Sequence, residues 1–298
     1  MKKMLLFVNP KAGKSEMRTY LMEVINRFTQ AGYDVTVHPT QKPKDITEVI
    51  ARDGEQYDRI VVSGGDGTLN EAVSGMAQLT HPPLLGYLPT GTVNDFAASL
   101  EIPRDVLSAA EIVVTGDEFW CDLGMFNDRI FDYVAAFGAF TAVSYETPHA
   151  EKQAFGRAAY IMEGIRSLSD IRPYWVKLEH DGVVEEEEVL FGMVTNSVSV
   201  GGFRALPDEE GVRLDDGLFE VVLIRKVGSL QDINAVTGAL LRRDFSADSF
   251  RTFQTDCLTM TFQEPVSWTL DGEYGGTVTV AEIVNQKQSL RILVPKAY

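Results

Sequence analysis

Cysteine is almost missing from the chain: Cys121 and Cys257 are the two in 298 residues, and neither belongs to a CxxC pair. That excludes a disulfide framework and a cysteine-rich zinc site, and it suits a reducing compartment. Positive charge is also short. Lys and Arg total 27 against 43 Asp and Glu, a net charge of −16. A polyphosphate backbone would be repelled, so nucleic acid is not expected as a partner. No uncharged run has the character of a membrane span. The longest, residues 72–94, contains Pro82, Pro83 and Pro89, and prolines break a spanning helix. The opening MKKMLLFVNPK has an apolar core of residues 4–8 only, short of the ~7–15 residues of a secretory signal. A soluble cytoplasmic protein is the expectation. No repeat of solenoid period is visible.

What is present has two textures. With 45% hydrophobic and 23% charged residues the composition is that of a globular protein, and the length suggests two domains at ~100–200 residues each. Up to about residue 125, apolar strands (4–8, 33–38, 59–63, 84–89) alternate with helical spacing at 17–28, 44–53, 68–78, 93–99 and 104–115. Gly32 supplies a helix stop. Continuous β-branched strands between helices predict an α/β domain whose parallel sheet is covered on both faces. Beyond residue 125, hairpin signals take over at Asn127-Asp128, Asp181-Gly182 and Asp216-Gly217, with helical stretches near 153–168 and 229–242. This half reads as an antiparallel β domain with inserted helices. The run Glu185 to Glu188 reads as the solvated end of a strand.

Three glycine turns carry the chemistry. Each follows a strand and opens a helix: VNPKAGKS (8–15), SGGDGTLNE (63–71) and LPTGTVND (88–95). Such turns lie at the carboxyl ends of the strands, where free amides and the helix dipole cradle an anion. The first is not a Walker loop, because Val8 stands where its first glycine belongs; a βα turn and a phosphate turn with Lys14 as point charge and Asn9 as donor both remain open. The second is the stronger signal. Gly64, Gly65 and Gly67 surround Asp66, and their expected role is positive φ and close backbone approach. It is not a Rossmann fingerprint, since Asn70 stands where a third glycine would be required. A carboxylate within an anion cradle calls for a cation, so Mg²⁺-nucleotide is the expected ligand, with Asp66 aimed at the metal. An Asx-type turn is the plainer alternative. The second and third turns share the pattern G-T-x-N-acid, and each reads as a capping box, Thr68 with Glu71 and Thr92 with Asp95. The recurring Asn70 and Asn94 then read as ligands to a nucleotide.

GGDGTLNE together with GTVNDFA, NPKAGK, LDDG at 214–217 and LDGEYGG at 270–276 resembles the diacylglycerol kinase catalytic family, specifically its soluble bacterial lipid kinases. The resemblance spans nearly the whole chain. It implies an N-terminal α/β domain of the NAD kinase and phosphofructokinase kind (1–125) and a C-terminal antiparallel β-sandwich domain (126–298), whose last strand could return to the first. ATP and Mg²⁺ would lie in the cleft between them. By motif it implies ATP contacts from Asn9, Pro10, Lys11, Ala12, Gly13, Lys14, Thr40, Gly65, Asp66, Gly67, Thr68, Leu69, Asn70, Glu71 and Thr92, joined here by Asn94 and Asp95. Asp66 would be essential and linked to magnesium. Glu273 of Asp271-Gly272-Glu273 would be the base that takes the lipid hydroxyl proton; from spacing alone this segment reads rather as a hairpin turn between WTL and TVTV. Arg213, Asp216 and Leu218 resemble a second magnesium site, Asp216 through its side chain and the others through carbonyls. Tyr274 and Asp122 match the family's texture without an assigned role.

The implied activity is ATP-dependent phosphorylation of diacylglycerol, peripheral to the inner face of the membrane. Lys152, Arg157, Arg166, Arg172 and Lys177 with Phe155, Tyr160, Ile161 and Ile165 form the candidate stretch for membrane approach, or else an ordinary core helix. Two other readings stand beside it: a soluble kinase of the NAD kinase type and a non-catalytic nucleotide or lipid sensor. The third turn, PTGTVND, departs from the first of these, and the acids Asp66, Asp216 and Glu273 from the second. Which lipid accepts the phosphate, and whether the chain forms a homodimer, stay open.

Overall fold

A computed structural model of the chain describes residues 1–10, 16–139, 172–197, 199–200, 203–204, 213–242 and 244–296. The chain divides into two compact units, Met1–Cys121 with Gln288–Tyr298, and Asp122–Lys287. The first contains β1 (Lys2–Val8), α1 (Glu16–Gln30), β2 (Tyr33–Pro39), α2 (Asp45–Asp53), β3 (Arg59–Gly64), α3 (Asp66–Met76), β4 (Leu84–Pro89), α4 (Asp95–Ser99) and α5 (Val106–Thr115). Next come β5 (Asp117–Phe126), β6 (Arg129–Phe131), β7 (Val134–Gly138), β8 (Tyr174–His180), β9 (Val183–Thr195) and the short pair β10 (Ser199–Val200) and β11 (Phe203–Arg204). The chain ends with β12 (Phe219–Arg225), α6 (Leu230–Arg242), β13 (Phe250–Thr255), β14 (Cys257–Leu270) and β15 (Glu273–Val294).

In the first unit β2, β1, β3 and β4 pair side by side, all parallel, and Ile292 near the end of β15 pairs parallel with Leu85 of β4. The inner strands are buried on both sides: Leu5, Leu6 and Phe7, then Ile60, Val61 and Val62, then Leu85 and Leu88 are at most 2% exposed. Burial of alternate and intervening side chains alike means that both faces are covered, as continuous apolar strands demand. Strand β2 lies at the edge and is half exposed. Helix α1 turns Met17, Val24 and Phe28 inward, and α5 is capped by Asp105, which accepts from the Ser108 amide at 2.7 Å.

The second unit is antiparallel. Strand β9 pairs with β12 and β7 along its later half and with β8 along its earlier half, and β14 pairs with β7, β8 and β15. Its core gathers Phe126, Phe131, Phe137, Phe219, Phe262 and Trp268, with the Trp268 ring 4.7 Å from Phe137 and 4.9 Å from Phe126. Two hairpins fall where the turn dipeptides predicted. Asn127 (φ 52) joins β5 to β6, and Asp181 (φ 48) with Gly182 (φ 75) joins β8 to β9. Asp216-Gly217 is a turn ahead of β12, which pairs with β9 and β13 rather than with a strand just before it.

The acid run meets its expectation on one face of its strand only. Glu185 to Glu188 lie in the first half of β9, where alternation sends successive carboxylates to opposite faces. Arg251, only 15% exposed, holds Glu185 and Glu187, and Lys226 holds Glu188 at 2.8 Å. Glu186 and Glu188 are exposed, as a solvated strand end would be, while Glu185 and Glu187 are drawn into ion pairs with Arg251. The helix expected over 153–168 and most of the candidate membrane stretch lie outside the described residues; Lys177 is in β8, paired with Glu179. Among the described residues no helix is long and apolar enough to cross a membrane.

Candidate functional site

Parallel register brings the carboxyl ends of the first unit's strands level. Val8 lies beside Pro39 and Ser63, and Gly64 beside Pro89. From β1 the chain moves outward to β2 and then returns to β3 on the other side of β1, so a topological switch point falls between β1 and β3. The residue after each strand is tied to its neighbour by the backbone: Thr40 N–H donates to Val8 O at 3.0 Å, Asn9 N–H to Ser63 O at 3.3 Å, and Thr90 N–H to Gly64 O at 2.8 Å. Thr40, Asn9, Gly65 and Thr90 thus form one row. The Asn9 amide reaches the Thr68 hydroxyl at 3.5 Å across the switch point.

The glycines of this row are there for close approach. None of Gly64, Gly65, Gly67 and Gly91 has a positive φ, which corrects half of the expected reason for them. A Cβ on Gly64 would lie 2.2 Å from Thr68 Oγ1, and one on Gly91 would lie 2.4 Å from Gly65 Cα. The second and third turns touch backbone to backbone. Gly67, exposed at the start of α3, has nothing within 4 Å of where a Cβ would lie.

Neither capping box has the expected register. Helix α3 starts at Asp66 with Gly65 at its N-cap, and α4 starts at Asp95 with Asn94 at its N-cap in a left-handed conformation (φ 57). The cap of α4 comes from the other turn: Asp66 Oδ2 accepts from Asn94 N–H at 2.9 Å and Oδ1 from Phe96 N–H at 3.4 Å. Glu71 Oε1 instead accepts from Lys44 N–H at 2.9 Å, and its carbonyl accepts from the Thr47 hydroxyl at 2.7 Å. Asp45 takes Gln41 N–H at 2.8 Å and meets His38 at 3.1 Å, bonds that hold its carboxyl below the usual range. The Thr40–Lys44 turn is pinned at both ends.

Asp66 is the electrostatic centre of the row. Burial, reinforced by the Asp95 carboxylate, pushes it up to about 6, against the pull of the α4 amides. A half-buried carboxylate of that kind, at a strand end beside two helix N-termini, has the character of a functional group. It suits a cation, whose arrival would favour the ionised form.

Several expected ligands take other positions. Asn94 and Asp95 are 1% exposed. The Asn94 side chain clasps the third turn from within, accepting from Gly91 N–H at 3.0 Å and from the Tyr87 hydroxyl at 3.3 Å and donating to Gly91 O at 2.9 Å. Its expected contact with a nucleotide is corrected to a contact with the turn. Leu69 is wholly buried, so only its backbone could serve a ligand. Pro10 and Thr92 are exposed, and Thr40, Asn70 and Glu71 are half-buried. Lys11, Ala12, Gly13 and Lys14 lie outside the described residues.

The second unit holds the remaining candidates. Asp216 Oδ1 accepts from Leu218 N–H at 2.9 Å, and the Asp216 carbonyl accepts from Lys287 Nζ at 3.0 Å. The Arg213 guanidinium turns to Asp215, leaving its carbonyl as the part that could meet a cation. Among the described residues no group of three His, Cys, Asp or Glu side chains could hold a metal. A cation here would need carbonyls beside the Asp216 carboxylate, a donor set of hard oxygens that suits magnesium. Glu273 is exposed at the first position of β15, opposite Leu270 across a two-residue turn at Asp271 (φ 51) and Gly272 (φ 81). The hairpin reading and the base reading are compatible, because the turn is what presents Glu273.

Three polar residues were missed or left without a role. Asp122, fully buried, accepts from Gly217 N–H at 2.6 Å and so braces the Asp216 turn. Glu220, 8% exposed, is pushed up to about 7 by burial. Asp271, 7% exposed, gathers three backbone amides. A lone acid inside an apolar strand was the available signal for the first two.

Comparisons with known proteins find relatives over nearly the whole chain. Residues 3–126 match the family described as "Diacylglycerol kinase catalytic domain", and residues 134–294 match the "YegS C-terminal NAD kinase beta sandwich-like domain". A curated relative from Bacillus subtilis (strain 168), named diacylglycerol kinase, is 34% identical over 298 residues, covering 99% of this chain and 97% of its own. Another of that name from Staphylococcus carnosus (strain TM300) is 34% identical over 293 residues, covering 98% and 94%. A crystal structure of a diacylglycerol kinase from Bacillus anthracis str. Sterne superposes with a TM-score of 0.79 at 24% identity, covering 99% and 98%, a likeness of fold. A second structure from that organism gives 0.84 at 26%, with the same coverage.

Proposed function

The chain belongs to the diacylglycerol kinase family as a lipid kinase, and on that premise we propose that it transfers the γ-phosphate of ATP to the hydroxyl of diacylglycerol, giving phosphatidic acid. The observation that carries this reading is the row of turns at the carboxyl ends of β2, β1, β3 and β4, with Asp66 at its centre. The nucleotide is assigned to Asn9 to Lys14, Thr40, the backbone from Gly65 to Glu71, and Thr92. Asn94 and Asp95 shape the cradle from inside.

Asp66 is the carboxylate linked to magnesium, and Asp216 with the carbonyls of Arg213 and Leu218 is the second cation site. Bound magnesium supplies charge neutralisation on the transferring phosphoryl group. Glu273 takes the proton of the attacking hydroxyl, and in a loose phosphoryl transfer little basicity is required. Its exposure is consistent with meeting an acceptor that arrives from outside the protein.

Label transfer from [γ-³²P]ATP into mixed micelles tests the reading, with diacylglycerol, a sphingoid base, undecaprenol and phosphatidylglycerol as acceptors and NAD as the soluble control. Label is expected in phosphatidic acid and not in NAD. Preferential labelling of another lipid, or of NAD, overturns the assigned acceptor, and no transfer from ATP overturns the donor.

A further inference from the structure

We propose that Asp271 is a positioning residue for Glu273, an inference that rests on the reading of Glu273 as the base. Turn chemistry alone does not call for it. A two-residue hairpin turn asks for a residue that tolerates positive φ at its first position, and Asn or Gly serves as well as Asp. The other Asp-Gly hairpin of this unit, Asp181-Gly182, has its acid half exposed and paired with a neighbouring His180. Asp271 is 7% exposed and turned inward. Its Oδ2 accepts from Asp132 N–H at 2.8 Å, and its Oδ1 accepts from Tyr133 N–H and Val134 N–H, both at 3.0 Å. Its own N–H donates to Val134 O at 2.8 Å.

Three successive amides converging on one carboxyl group form a clasp, and only a carboxylate offers an acceptor at both ends. The clasp locks the tip of the β14–β15 hairpin to the corner between β6 and β7. On its other side Glu273 is bounded just as firmly. The pairing Leu270–Glu273 and Thr269–Tyr274 is followed by Trp268–Gly276, so one extra residue, Gly275, bulges out two positions beyond the glutamate. Bulges re-aim side chains and recur next to active sites. The Tyr274 carbonyl accepts from Arg129 at 3.1 Å. An exposed glutamate on a mobile hairpin tip would sample many positions; one fixed on both sides is held for a task that depends on placement.

The test is a double-mutant cycle of Asp271→Asn and Glu273→Gln, read as turnover, ATP KM and melting temperature in the full chain. Asp271→Asn keeps the size and the turn but offers one acceptor oxygen in place of two. It is expected to lower kcat about tenfold with ATP KM unchanged. In the Glu273→Gln background the same change should lower kcat less than about twofold, because residues that act as a unit are not additive. If Asp271→Asn does not fold by circular dichroism, Gly272→Ala, which strains the same turn at φ 81, takes its place in the cycle. An equal loss in both backgrounds, or no loss in either, overturns the proposal while leaving the base intact. Normal turnover in Glu273→Gln alone removes the base, and the proposal with it.

Discussion

The glycine turns at the β3 and β4 ends of the first unit and the reversing turns of the second are built on opposite rules. In the first, glycines are placed for contact: Gly64, Gly65 and Gly91 keep ordinary φ and are small because another backbone or side chain occupies the space of a Cβ. In the second, Gly182, Gly217 and Gly272 have φ of 75, 87 and 81, and they are glycine because the chain reverses there. The difference follows from strand direction. A parallel sheet brings turns from distant strands to one edge, where they must share space, while an antiparallel hairpin closes on itself and needs only the right dihedrals. A ligand cradle built from shared turns follows naturally in the first case. A single presented side chain such as Glu273 follows in the second.

The sharpest way to break this comparison is at Asp66, where two shared turns meet. Asp66→Ala is expected to reduce turnover by at least about a hundredfold, as loss of a metal-linked carboxylate should. Retention of more than about a tenth of wild-type turnover, a barrier change under ~1.4 kcal/mol, contradicts the metal role. Because Asp66 also caps α4, the variant is also expected to melt lower, by the ~1 kcal/mol of a lost cap.

Glycine replacement addresses the two rules directly. Gly91→Ala puts a methyl 2.4 Å from Gly65 Cα, and backbone cannot swing aside, so a loss of about 3 kcal/mol is expected. Gly182→Ala meets nothing within 4 Å and bears only the strain of φ 75, about 1 kcal/mol. Urea unfolding of both variants ranks them. The reverse order would mean that dihedral strain, not crowding, governs the cradle glycines as well.

Glu71 gives a smaller effect. If its task is to hold Lys44 N–H and with it the Thr40 turn, Glu71→Ala raises ATP KM roughly three- to tenfold, the net worth of one half-exposed hydrogen bond. Glu71→Gln, which still accepts, stays near wild type. Equal damage from both would point to a charge directed at the nucleotide or its metal.

A stability effect of similar size to the Gly91 loss lies in the pH dependence of the nucleotide-free protein. Asp66 titrates near 6 in the fold against 3.8 as a free side chain. Below about 4 both states hold the proton and its contribution is whole. As pH rises to 6 the unfolded chain releases the proton first, so native stability falls, by at most about 3 kcal/mol. The melting-temperature difference, Asp66→Asn minus wild type, should therefore grow between pH 4 and pH 7. A flat difference would show that the buried setting does not disfavour the charge.

Much of this was legible in one dimension. The alternation of apolar strands and helices, the Asp181-Gly182 hairpin and the change of texture near residue 125 depend on neighbours within a few residues, and periodicity and turn dipeptides report on those. The glycine turns were legible as turns, and their shared G-T-x-N-acid pattern suggested two local capping boxes. The folded chain instead caps α4 with Asp66, from 28 and 30 residues away, and sends Glu71 back 27 residues to Lys44. Asp271 finds its three amides 137 to 139 residues upstream.

Local sequence thus determined which segments are strands, which dipeptides reverse the chain, and which residue types collect at the strand ends, because short-range sterics and hydrogen bonding decide those. Only the tertiary structure decided which carboxylate serves which amide, and which glycine is small for crowding rather than for φ. A carboxylate accepts equally well from any amide, and register and topology choose the one that lies within 3 Å.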